Sequence, residues 1–263
     1  MRFFIVILIL FIQLSAKEYY AKAEPYEILN VSSNVSAEVL YTDTAHQGKI
    51  LGKKPYIVMD DKLDKIELHS VETKISAVQK TLEHNLKMGQ NYQQIIDMKQ
   101  ANFDRIKELK IKSSVEKDRE YFDLISSRNS FLSIQKEIES LTIQLGDLKL
   151  RRSQLQKSIA DKHLSAPGFV LYQLTIKPAA FVNPGTLLAQ IADVRKAKLT
   201  LYLSADEAQQ AQSKKIYLNG KKSSYKIDRL WKIADASKLS SYRAEILIAP
   251  PGQFSQLMKV EFK

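Results

Sequence analysis

The sequence predicts an α+β chain in which a long antiparallel coiled-coil helical hairpin interrupts a split β-sandwich and a small β-barrel follows. Three observations carry this. Two turn-rich segments of strand-like alternation flank about a hundred residues of helical heptads; no proline occurs from Lys62 to Lys162; and short alternating runs with a hairpin signal return after residue 194. Each flanking segment alone has too little apolar surface to offset its chain entropy. The two must therefore share one core, so the helices between them go out and come back.

The strands come first. In the leading segment, Val35 to Tyr41 alternates, a polar stretch runs to Gly48, and Ile50-Leu51 and Tyr56-Ile57-Val58-Met59-Asp60 follow. In the trailing segment, Ala166-Pro167-Gly168 is a turn signal. It leads into Phe169 to Tyr172, then Leu174 and Ile176 in alternation. Phe181-Val182-Asn183-Pro184-Gly185 makes a second turn before Leu187 to Ile191. The expected module covers residues 27–61 and 163–194.

The insert is residues 62–162, interrupted only by Gly89 and Gly146. On the returning arm Leu124, Phe131, Ile134, Ile138, Leu141, Leu145, Leu148, Leu155 and Ile159 alternate three and four apart, with Ser127 and Arg152 as polar members. This is a coiled-coil seam. The outgoing arm carries Val71, Ile75, Val78, Leu82, Tyr92, Ile96, Phe103 and Ile106 on the same period. Asn85, Gly89 and Lys99 interrupt it and predict local loosening or water near the middle, and a buried Asn would also fix the register. The reversal is expected between Leu109 and Val115, where Ser113 and Glu116 form the Ser-x-x-Glu of a capping box. Arms of about 45 residues span roughly 70 Å. That is more than helix pairing needs and suits reaching a distant partner.

Residues 195–263 read as a barrel. Lys198 to Leu203 alternates, Ser204 to Lys214 suits a short helix, and Asn219-Gly220 is a hairpin turn signal. Strands are expected at Tyr225 to Ile233, Tyr242 to Ile248 and Leu257 to Phe262, with Pro250-Pro251-Gly252 as the last loop.

At the N-terminus Arg2 precedes an apolar run from Phe3 and a small residue, Ala16, before Lys17. Residues 1–16 read as an export signal peptide or a retained N-terminal anchor, the run being short for a spanning helix. Cysteine is absent, which excludes disulfides, cysteine zinc sites and thiol nucleophiles. The net charge of +11 is read as a solvated helical surface, because basic and acidic residues interleave along the helices, and not as a nucleic-acid footprint.

The order of these segments resembles the periplasmic adaptor proteins, or membrane fusion proteins of the HlyD type. The most specific stretch runs from His163-Leu164-Ser165-Ala166-Pro167-Gly168-Phe169-Val170 through Val182-Asn183-Pro184-Gly185-Thr186-Leu187-Leu188 to Ile191-Ala192-Asp193, similar to the second half of that family's lipoyl-like domain. The resemblance implies a periplasmic subunit associated with the inner membrane. It would bridge an inner-membrane transporter of ABC or RND type and a TolC-type outer-membrane channel in a tripartite efflux or secretion system, as a homo-oligomer, six copies in the usual assembly. No clear fourth domain follows the barrel, although adaptors of the RND type usually have one, which points toward an ABC-type or less common transporter. In the family the hairpin tip carries an Arg, a Leu four residues later and a Ser further on, which dock on the channel. Arg105 and Leu109 match that spacing, and Ser113 or Ser114 is the nearest serine, closer to the Leu than in the pattern. Arg105 read by itself is equally a surface residue paired with Asp104 or Glu108.

Nothing in the chain points to chemistry. The turn that carries a modified lysine in cofactor-bearing lipoyl domains is here replaced by the hairpin, so no cofactor is expected. His46, His69, His84 and His163 show no paired ligand spacing and read as surface or packing residues, so no metal is expected either. Asp60 and Asp61 stand at a helix start, where carboxylates favour the positive end of the dipole, and Asp61 reads as the cap. No enzyme motif is present. Two other readings remain: a periplasmic coiled-coil scaffold without a transport role, and a carbohydrate- or lipid-binding β-module. The latter needs an aromatic-lined pocket, whereas Trp231, the only tryptophan, reads as barrel core.

Overall fold

The computed structural model describes residues 17–235, 238 and 241–263, and the chain divides into two compact units, residues 1–58 with 164–263, and residues 59–163. The expected signal or anchor, residues 1–16, lies outside the described residues.

In the first unit β1 (Glu18–Ser32) is followed by β2 (Ala37–Thr42), a 3-10 turn at Thr44–His46 and β3 (Ile57–Met59). After the helices come β4 (His163–Leu164), β5 (Val170–Leu174), β6 (Phe181–Val182) and β7 (Leu187–Leu203). The remaining strands are β8 (Ile216–Leu218), β9 (Lys221–Lys222), β10 (Ile227–Ala234), β11 (Tyr242–Ile248) and β12 (Leu257–Phe262).

The two halves of the interrupted module interlock. Glu27 to Asn30 of β1 pair antiparallel with Asp193 to Gln190 of β7, and Ala37 of β2 lies opposite Val182 of β6. Tyr56 N–H donates to Leu164 O at 2.8 Å, so the chain returns to the strand it left. One sheet runs β4-β3-β2-β6, and β5 pairs with β7 in the other. Val39, Tyr56, Ile57, Leu171, Val182 and Leu188 are fully buried between the strands. Gly185, at φ +88°, turns the chain after Pro184, where an L side chain would be strained.

The barrel is built on the same two long strands. β1 starts at Glu18, ahead of the module boundary at residue 27 that the alternation suggested, and Glu18 to Lys22 pair with β12. β7 runs unbroken through residue 194, where composition suggested a boundary, and its later half pairs with β11. The change of role on β1 falls at the register shift between Pro25 and Glu27, where proline has no N–H for the ladder. The sheet order is β10-β11-β7-β1-β12-β8-β9. Ile246 of β11 and Ile216 of β8 nevertheless share one core with Leu199, Leu203 and Val260, so the sheet is rolled around it. The short helix α3 (Ala205–Ala211) contributes Ala208 and Ala211 to that core.

Trp231 is not in that core. It is half-buried on β10, with the Arg243 guanidinium 4.6 Å and the Arg229 guanidinium 5.5 Å from its ring centre. The alternation of an edge strand gave its period but not which face turned inward.

The second unit is the hairpin, α1 (Lys62–Lys107) and α2 (Ser114–Asp161), 46 and 48 residues long. The seam packs as its spacing demands: Val71, Ile75, Leu145 and Leu155 share a cluster, with Leu68, Val78, Leu82 and Leu148 against it. Leu124 is buried nearer the tip. Helix α1 is continuous through Gly89, which is buried and faces Phe131, Ile134 and Ile138, so the loosening expected there is not seen at that residue. Asp61 precedes α1 but its side chain makes no cap; Asp60 Oδ1 accepts from Lys62 N–H at 3.0 Å instead. The Asp61 carboxylate is drawn to Lys65 Nζ, at 2.8 Å, and to His163.

Candidate partner-docking site at the hairpin tip

Helix α1 ends where Leu109 N–H turns back to Ile106 O at 3.1 Å, and six residues, 108–113, separate it from α2. Its start is set by the capping box. Ser113 Oγ accepts from Glu116 N–H at 3.3 Å, and Ser113 N–H donates to Glu116 Oε2 at 3.0 Å. The Ser113 backbone N–H, together with Lys112 and the Ser113 hydroxyl, holds the Glu116 carboxyl below its ordinary range. Lys117 Nζ donates to Lys107 O at 2.8 Å, which satisfies a carbonyl that the end of α1 leaves open and ties the arms together.

On this frame the side chains divide by character. Arg105 is exposed in the last turn of α1. Its Nε donates to Ala101 O at 3.3 Å and its guanidinium to Asn102 Oδ1, so it is paired with neither Asp104 nor Glu108. Asp104 is instead held by Gln100 and Lys107. Leu109 is 42% exposed, and beside it in sequence Ile111 is 88% and Val115 74% exposed. Ser113 is occupied as the cap, and Ser114 is the first residue of α2. The structure thus brings Arg105, Leu109, Ser113 and Ser114 to one end of the hairpin. Ile111 and Val115, which belong to no motif in the sequence, are more exposed than Leu109. Their signal was apolar character in a turn, where an isolated hydrophobe carries little weight.

Two other places bear on function. At the other end of the hairpin, Asp61 Oδ2 lies 2.7 Å from His163 Nε2, and Asp64 Oδ2 accepts from Ser158 Oγ at 2.5 Å and Lys162 Nζ at 3.0 Å. His163 is therefore a hydrogen-bonding partner of Asp61 at the root of the hairpin. In the barrel, two open clefts of about 410 and 340 Å³ meet at Trp231. The larger is lined by Lys198, Arg229 and Arg243 and by Glu27, Asp228 and Glu245. Arg243 and Arg229 already lie over the indole, so it is not a bare platform for a sugar ring. Among the described residues, no group of three or more His, Cys, Asp or Glu could hold a metal ion, and no helix is long and apolar enough to cross a membrane.

No family model matches the chain and no curated protein matches it. Solved structures do. MacA from Actinobacillus actinomycetemcomitans is 13% identical with a TM-score of 0.63, over 94% of this chain and 79% of that one. The membrane fusion protein Spr0693 from Streptococcus pneumoniae is 10% identical with a TM-score of 0.62, over 94% and 99%. A MacA-MexA chimera carrying the Pseudomonas aeruginosa MexA α-hairpin domain is 15% identical with a TM-score of 0.52, over 94% and 81%. Likeness at this identity speaks for the fold alone: a long helical hairpin and paired antiparallel sheets, as in the membrane fusion protein Spr0693.

Proposed function

We propose that this chain is the periplasmic adaptor subunit of a tripartite efflux or secretion system. It bridges an inner-membrane transporter, of ABC or RND type, and a TolC-type outer-membrane channel. Several copies, six by analogy, stand side by side, and the hairpin tips meet the channel. The observation that carries this reading is the end of the hairpin. Leu109, Ile111 and Val115 hold apolar surface out to solvent beside an ordered Arg105, in a turn fastened by a capping box and by the Lys117 bond to Lys107 O. Exposed apolar side chains on a rigid support are what a docking surface requires. Ser113 spends its hydroxyl on the cap, which leaves Ser114 as the serine that contacts the partner. The adaptor supplies geometry and sealing, and transport energy comes from the inner-membrane subunit.

The absence of cysteine makes the test direct. A Leu109→Cys chain carrying a maleimide–diazirine cross-linker is co-expressed with the TolC-type channel of the same genome. Cross-linking to the channel, lost on adding Arg105→Glu, is the expected result. If no adduct forms, and removal of residues 105–120 leaves the chain's partners unchanged, the scaffold reading replaces this one.

A further inference from the structure

The surplus charge does not sit mainly on the helices. Residues 62–162 hold 19 lysines and arginines against 15 aspartates and glutamates, whereas residues 195–263 hold 14 against 6. The barrel segment, about a quarter of the chain, therefore carries most of the net +11.

Strand register gathers part of that charge at one end. Glu18, at the start of β1, lies opposite Glu261 near the end of β12, and Phe262 lies opposite Ile216 at the start of β8. Lys215 and Lys263 exchange both backbone hydrogen bonds, at 2.7 and 3.0 Å. Tyr217 of β8 lies opposite Lys222 of β9. The start of β1, the end of β12, the start of β8 and the end of β9 thus meet, and bring Lys17, Lys214, Lys215, Lys222 and Lys263 together. Two are neutralised locally: Lys17 by Glu207 at 2.9 Å and Lys263 by Glu261 at 2.7 Å. Lys214, Lys215 and Lys222 are exposed and make no ion pair among the described residues.

We propose that this lysine-bearing end of the barrel docks on anionic phospholipid headgroups. Lysine suits that role, since its compact, mobile charge needs no fixed partner geometry and is attracted to a negatively charged bilayer within a Debye length of about 10 Å. An acidic protein would ask for shape as well as charge, whereas Lys222 lies on the edge strand β9 and Lys214 and Lys215 lie in the segment that leads into β8. The proposal is independent of tip docking and stands or falls without it.

The test is co-sedimentation of the full chain with phosphatidylglycerol-containing phosphatidylcholine vesicles and with pure phosphatidylcholine vesicles. Preference for the anionic vesicles is expected, abolished by salt at about 1 M, where the screening length falls to about 3 Å. Lys214→Ser, Lys215→Ser and Lys222→Ser together should weaken binding about fivefold per lysine, on the order of a hundredfold in all. The hairpin control Lys80→Ser, Lys87→Ser and Lys136→Ser should leave it unchanged. Circular dichroism confirms folding, and the salt titration of the unaltered chain reads the same charge without any substitution. The proposal is overturned if both vesicle types bind equally and the triple variant changes nothing, since the apolar run from Phe3 to Leu14 would then carry the binding. It is overturned equally if the anionic vesicles do not bind.

Discussion

His163 Nε2 lies 2.7 Å from Asp61 Oδ2, joining the residue that precedes α1 to a residue 102 positions later, just beyond α2. A parallel tie runs from Asp64 to Lys162 and Ser158, and Met59 N–H donates to Lys162 O at 2.8 Å. The root of the hairpin is therefore closed by two carboxylates, Asp61 just before α1 and Asp64 in its first turn, while the tip is closed by a cap. Burial raises the Asp61 carboxyl, but the bonds from Lys65 and His163 outweigh it and hold it below its ordinary range. Asp64 is held low in the same way by Ser158 and Lys162, against burial and the repulsion of Asp61.

A pH dependence follows, with its sign set by depressed carboxylates. Their contribution is fully present above the ordinary carboxylate range and is lost as pH falls through the lowered folded values. Asp64→Asn leaves Lys162, 8% exposed, without its charge partner and should cost about 1–3 kcal/mol at neutral pH. The difference in melting temperature between Asp64→Asn and the unaltered chain, followed by circular dichroism, should shrink steadily below about pH 4. A difference that stays constant down to pH 2 would show that the bond, and not the charge, is what matters.

Gly89 offers a gain in stability. A Cβ there would meet Ile138 Cδ1 at 3.7 Å, Ile134 Cγ2 at 3.8 Å and Phe131 Cε2 at 3.9 Å, all ordinary contact distances. Gly89→Ala should therefore fit without displacement and stabilise the hairpin by about 0.5–1 kcal/mol, chiefly by narrowing the unfolded ensemble. A higher urea midpoint with unchanged slope is the expected reading. A lower midpoint would mean that the arms approach more closely than these distances allow.

Capping and docking at Ser113 can be separated. Ser113→Ala removes the acceptor for Glu116 N–H and should cost about 1 kcal/mol at the start of α2. Amide exchange at Val115, Glu116 and Lys117 should speed up accordingly, while Ser113→Thr keeps exchange slow. Unchanged exchange in Ser113→Ala would show that the tip is held by Lys117 and Lys107 alone.

Much of the architecture could be read without coordinates because it is written locally. The three-four spacing from Leu124 to Ile159 states which face of α2 is buried whatever lies opposite. The Ser113-x-x-Glu116 box and the Asn219-Gly220 turn are closed by residues a few positions apart. The expectations that failed concern faces and partners chosen at a distance. Trp231 has a strand period compatible with either side of an edge strand, and packing turned it toward Arg243. Asp61 stands where a cap belongs, yet its side chain went to a histidine that only the closed hairpin brings near. Ile111 and Val115 carry little signal in the sequence, because a hydrophobe in a turn acquires meaning only once its exposure is known.

The amino-acid sequence by itself determined the helices, their seam, the reversal point and the pairing of two distant strand segments into one module, because periodicity and turn chemistry are short-range properties of the chain. Tertiary structure alone decided that β1 and β7 serve both sandwich and barrel, that two carboxylates fasten the hairpin root, and that Lys17, Lys214, Lys215, Lys222 and Lys263 share one barrel end. Those outcomes depend on strand register between residues as far apart as Glu18 and Glu261, and register is set by which cores can be packed together.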